Sequence, residues 1–134
     1  MEEKEQQELI FKLSLFEQQI QSIQQQLQAV EKALNDLSFL ILGLEEIKGA
    51  KGKEILAPIG RGIFAKTKLI SEELTVDIGG GHFIKKSIPK TQEIIQKQTK
   101  KLEDIKNELN KALEEINKQL TEKIKEYQEK VSKS

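Results

Sequence analysis

The chain has 134 residues, and its 22 basic and 22 acidic side chains cancel, so no net charge draws it to nucleic acid or an anionic membrane. Aromatic residues make up 4% and charged residues 33%, with no tryptophan and no cysteine. That composition excludes a large spherical core, a disulfide scaffold and a thiolate metal site, and it suits long solvated helices in a reducing compartment. Arg61 is the single arginine, which leaves little for bidentate readout of phosphates or bases. The acidic start, Met1 to Glu8, is the opposite of a signal peptide, and the longest apolar run, Phe39 to Leu42, is far too short to span a bilayer. A cytoplasmic protein is expected.

The first element is a long helix, over 5–48. Leu9, Leu13, Phe16, Ile20, Ile23, Leu27, Val30, Leu34, Leu37, Ile41 and Leu44 alternate steps of 4 and 3, the heptad seam of a coiled coil. At 1.5 Å per residue this helix is roughly 65 Å long. The seven glutamines between Gln18 and Gln28 form its wet face, because the heptad runs straight through them. Gly49 and Gly52 end it. Ile10, Phe11 and Leu15 lie outside the seam. They predict either a bulkier local core, burial against another chain, or an exposed apolar patch at the far tip. Near the other end, Ser38 to Leu44 is apolar almost all round, which predicts burial on every side against a head or a neighbouring subunit.

Within a head over 49–88, residues 54–88 read as four short strands, Glu54–Ile59, Gly62–Ile70, Leu74–Ile78 and His82–Ser87, with turns at Gly60-Arg61-Gly62, Ser71-Glu72-Glu73 and Gly79-Gly80-Gly81. Pro58 cannot donate a ladder hydrogen bond, so the first strand lies at an edge or carries a bulge there. Two hairpins with no helix layer of their own are marginal in water. Their edges and apolar faces need partners, so the block reads as an oligomerisation head.

A second long helix is expected over 89–132, with Pro89 in its first turn. Its apolar residues, Leu102, Ile105, Leu109, Leu113, Ile116, Leu120, Ile124, Tyr127 and Val131, step by 3, 4, 4, 3, 4, 4, 3 and 4. This lies nearer an eleven-residue repeat than a heptad. Facing a strict heptad, such an arm loses register towards its distal end, so looser, partly open tips are expected around 5–16 and 120–131. The fold class is therefore mainly α with a small β head: an antiparallel hairpin of long helices joined by two β-hairpins.

Two glycine-centred segments carry a family resemblance. Pro58-Ile59-Gly60-Arg61-Gly62-Ile63-Phe64 and Val76-Asp77-Ile78-Gly79-Gly80-Gly81-His82-Phe83 are similar to the paired hairpin signatures of the α-class prefoldins, and the order of long coil, two hairpins and long coil is the same. Arg61 departs from the small residue common at its turn. The resemblance covers nearly the whole chain. It implies a hexamer of two α-class and four β-class subunits, joined through their hairpins, with Ile55, Pro58, Ile59, Gly60, Gly62, Ile63, Phe64, Val76, Ile78, Gly79, Gly81 and Phe83 in the assembly head. It further implies an ATP-independent holdase, without cofactor, that grips unfolded proteins at its coiled-coil tips and passes them to a group II chaperonin. Candidate grip residues are Ile10, Phe11, Leu15 and Phe16 on one arm and Ile124, Tyr127 and Val131 on the other. Abundant Lys, Glu and Ile beside one arginine suits an archaeal source.

Enzyme chemistry finds no foothold. Gly60 to Thr67 is one residue from a P-loop, with Ala65 where a glycine is required, but it continues as an alternating strand and not a helix. His82 is the only histidine and has no second base or nucleophile in motif spacing. Two other readings compete with the holdase: an α-like protein that assembles with itself into filaments through the same hairpins, and a passive coiled-coil tether.

Overall fold

The computed structural model describes residues 3–133. Helix α1 spans Glu3–Ile47 and helix α2 spans Ile88–Lys133, with strands β1 (Glu54–Gly60), β2 (Ile63–Lys68), β3 (Leu74–Gly79) and β4 (His82–Lys86) between them. The chain divides into two units, residues 1–34 with 101–134 and residues 35–100.

In the second unit the two hairpins form separate antiparallel two-stranded sheets. Both close through two-residue turns in which each central residue has positive φ: Arg61 at 49° and Gly62 at 77°, Gly80 at 60° and Gly81 at 77°. Turns of that kind match the twist of the flanking strands, and this is why glycine crowds these positions. β1 pairs with β2 from Glu54↔Lys68 to Gly60↔Ile63, with a register shift between Pro58 and Gly60. Pro58 thus sits both on an edge strand and beside a bulge. β3 pairs with β4 from Leu74↔Lys86 to Gly79↔His82, shifted between Asp77 and Gly79. The Asp77 carboxylate accepts from the Gly79 amide at 2.8 Å and holds that second shift.

The buried cluster of this unit is small. Leu44, Ile88 and Ile95 are 2–5% exposed, and Leu37, Ile41, Ile47 and Leu74 pack around them. The last turns of α1, the first turns of α2 and the start of β3 meet there. The Gly49 amide donates to the Glu72 carboxylate, Gly49 itself taking a φ of 75° just past the end of α1. Ser87 caps α2: its hydroxyl accepts from the Lys90 amide at 3.3 Å and its carbonyl from the Thr91 amide at 3.1 Å. The run Ser38–Leu44 departs from expectation. Leu44 and Ile41 turn inward, but Phe39, Leu40 and Leu42 are 74%, 46% and 61% exposed. A single facing helix covers one stripe only, so burial on every side does not occur within this chain.

The seam of α1 follows its heptad, with the residues from Leu9 to Ile41 half-buried at steps of 4 and 3. The seam of α2 corrects the sequence reading. Its inward residues are Ile95, Thr99, Leu102, Lys106, Leu109, Leu113, Ile116, Leu120, Lys123 and Tyr127, again alternating 4 and 3. The arm is a strict heptad carrying three polar members, whereas Ile105 and Ile124, which the apolar spacing alone puts in the seam, are 43% and 40% exposed beside it. Geometry explains this: a straight apolar path drifts from the facing stripe by about 20° per heptad, and packing retains the stripe. Both arms therefore share one repeat. In the first unit the seam stays in register as far as Leu9 and Tyr127, and the expected loss of register has no cause.

Candidate functional site

At the end of the first unit that carries the start of α1 and the end of α2, the seam is flanked by two unlike grooves. On one side lie Ile10, Leu13, Ile124 and Tyr127, with Gln6 and Gln128. On the other lie Glu5, Glu8, Lys12, Lys123, Glu126 and Lys130 around the same seam pair, Leu9 and Tyr127. The asymmetry follows from the heptads: in an antiparallel pair the residues just after d on one helix face their counterparts on the other, and here those are Ile10 and Ile124. The opposite flank is charged, and Lys123 approaches Glu126 at 3.6 Å.

The seven candidate grip residues separate into distinct settings. Ile10 and Ile124 share the apolar groove. Phe11 and Leu15, four residues apart on the outer face of α1, are 64% and 42% exposed and stay clear of the seam. Phe16 and Tyr127 are half-buried seam residues. Val131 is 47% exposed. Ile124 and Val131 therefore present apolar surface without any opening of the coil, contrary to their reading as seam residues. Leu13, Gln6 and Gln128 also line the groove. Leu13 was legible only as a seam position, and nothing in the sequence singles out the two glutamines.

Farther along the first unit, Lys106 of the α2 seam meets Glu31 at 2.5 Å. Both side chains are more than a third exposed, so solvent screens the pair and its net worth is below about 1 kcal/mol.

The hairpins offer the other candidate surface. Ile59, Ile63, Phe64, Ile78 and Phe83 are each 58–70% exposed, while Ile55 and Val76 are half-buried. Apolar side chains on open two-stranded sheets, with one unpaired edge per strand, are what strand addition by another chain would cover. Among the described residues no helix is long and apolar enough to cross a membrane.

Comparison with known proteins agrees with this geometry. The family profile described as "Prefoldin subunit" matches residues 16–133. The chain is 33% identical over 89 residues to prefoldin subunit alpha of Methanosphaera stadtmanae, a match covering 66% of this chain and 64% of that protein. It is 30% identical over 92 residues to prefoldin subunit alpha of Methanobrevibacter smithii, covering 68% and 63%. These matches span less than two thirds of the relatives' own length. Filamentous PFD from Methanocaldococcus jannaschii, solved by cryo-electron microscopy, superposes with a TM-score of 0.71 over 85% of this chain and 96% of that one, at 19% identity. Two long helices bracketing two glycine-turned hairpins, and a profile match running from the first arm to the end of the second, establish that the chain belongs to the prefoldin family.

Proposed function

We propose that this chain is an α-class subunit of an ATP-independent holdase, binding unfolded proteins at the terminal end of its coil. Two such subunits would assemble with four β-class partners through the hairpins of residues 49–88, and clients would pass to a group II chaperonin in the cytosol. The observation that carries the reading is the apolar surface at that end: Ile10 and Phe11 are 66% and 64% exposed, next to a groove lined by Leu13 and Ile124. A folded protein has no internal use for such side chains, whereas a client with exposed apolar segments buries against them. Each side chain so covered is worth roughly 1.5–3 kcal/mol. Weak grips of this size, repeated over several subunits of one assembly, hold a client by avidity and still release it. No step of this function needs a nucleotide, a metal or a reactive side chain.

A second reading has its own observation. The structural neighbour is described as filamentous PFD, so a self-assembling filament built through the same hairpins is the alternative.

The test is suppression of thermal aggregation of a reporter enzyme without ATP, using the chain assembled with a β-class partner. Wild type would be run beside Phe11→Ser with Leu15→Ser, and beside Ile10→Ser with Ile124→Ser. All four positions are solvent-exposed, so assembly and thermal stability are expected to hold while suppression falls severalfold, consistent with the loss of two buried apolar groups. No suppression by the assembled wild type would sink the holdase reading. Long polymers of the chain on its own would favour the filament.

A further inference from the structure

We infer that the outer face of α1 beside the hairpins, centred on Phe39 and Leu42, is a docking surface for the first hairpin (β1–β2) of a second copy of this chain. Successive residues of a helix turn by about 100°, so Asp36, Phe39, Leu42, Gly43 and Glu46 share one outward face. Phe39 is 74% exposed, more than any apolar residue of the coil's terminal end, and Leu42 is 61% exposed. No charge stands between them. At the centre lies Gly43, a glycine inside a helix, where it weakens the element. A Cβ at Gly43 would meet nothing within 4 Å, so no contact inside the chain calls for glycine there. Close approach of another backbone does. The patch is bounded by Asp36 and Glu46, neither of which has an ion-pair partner among the described residues.

The first hairpin has the complementary pattern. Leu56↔Lys66, Pro58↔Phe64 and Glu54↔Lys68 are direct cross-strand partners, so these six side chains share one face. Leu56 and Phe64 are 66% and 58% exposed on it, and Lys66 and Lys68 flank them. Glu54 offsets part of that charge, approaching Lys66 at 3.7 Å. The larger charge pattern points the same way. Residues 48–90 hold nine basic and four acidic side chains, whereas 3–47 hold three basic and eight acidic, so a balanced chain is split into a basic head and an acidic first arm. By net charge, a head and a first arm attract. An apolar strip with carboxylates beside it, facing an apolar strip with lysines beside it, is complementary in both shape class and sign. The contact is independent of strand-edge pairing, because it uses the face of the hairpin and leaves its edges open. It does not depend on the holdase reading.

The experiment is sedimentation velocity of the purified full chain over a concentration series at low and high salt. Wild type is expected to self-associate, more weakly as salt rises. Phe39→Ser with Leu42→Ser should raise the dissociation constant by about tenfold or more. Gly43→Gln should do the same while increasing helicity, so its effect cannot be charged to unfolding. Asp36→Lys with Glu46→Lys should weaken association, and combining it with Lys66→Glu and Lys68→Glu should restore it. A wild type that stays monomeric overturns the proposal and would assign the patch to a different chain. So would unchanged association of the Phe39 and Gly43 variants. Charge reversal on α1 that the hairpin reversal fails to rescue would overturn the hairpin as occupant.

Discussion

Arg61 shows how much a single backbone angle constrains a residue. Its φ of 49° places an L side chain in the left-handed region, where its Cβ crowds the next carbonyl. The other three central turn residues are glycines, which occupy that region without the penalty. The turn needs positive φ at both central positions, and Asn-Gly meets that demand best. Replacing Arg61 with asparagine should therefore relieve about 0.5–1 kcal/mol at the turn. Amide hydrogen exchange in β1 and β2 is expected to slow by roughly two- to fivefold, with exchange in the second hairpin unchanged as an internal control. Faster exchange in the first hairpin would show that the arginine stabilises the turn by contacts of its own.

At the scale of the element, the second helix is where the apolar pattern misleads. Thr99 lies in its seam with a buried hydroxyl that lacks a hydrogen-bond partner, the one such side-chain atom among the described residues. An orphaned buried hydroxyl costs about 1–3 kcal/mol. Thr99→Val keeps the shape and removes the orphan, so the chain should gain on the order of 1 kcal/mol. The urea midpoint is expected to rise with no change in slope, and a drop in midpoint would mean the hydroxyl is satisfied in solution. The same residue explains what was and was not legible. The first arm could be read directly because every seam position from Leu9 to Leu44 is apolar. The hairpins could be read because glycine marks turns that need positive φ. The second arm carries Thr99, Lys106 and Lys123 in the seam and isoleucines at 105 and 124 beside it. A count of apolar residues follows the isoleucines, while packing follows the facing stripe. Lysine satisfies both by laying its methylenes along the seam and sending its charge outward, as Lys106 does towards Glu31. Of the candidate grip residues, Phe11 and Leu15 were legible as off-seam apolar positions. The groove shared by Ile10 and Ile124 was not, because it depends on the register of both helices at once.

For the whole molecule, the matched heptads change how the proposed grip would work. If apolar surface became available only when the arms part, holding a client would compete with the coil's own packing, and every seam side chain released would forfeit roughly 1.5–3 kcal/mol of burial. With the seam closed as far as Leu9 and Tyr127, the exposed residues Ile10, Phe11, Leu15 and Ile124 are available at no cost to the coil. The two ideas separate in one experiment. The chain has no cysteine, so Leu9→Cys with Tyr127→Cys introduces a single bridge between two seam positions that border the same groove. Oxidation locks the end of the coil and reduction frees it, within one protein and one assembly. Suppression of reporter aggregation is expected to be equal in both redox states, because the outer face and the apolar groove stay exposed when the seam is fixed. A holding capacity that collapses on oxidation and returns on reduction would mean that the arms must open, and would move the grip from the flanks into the seam.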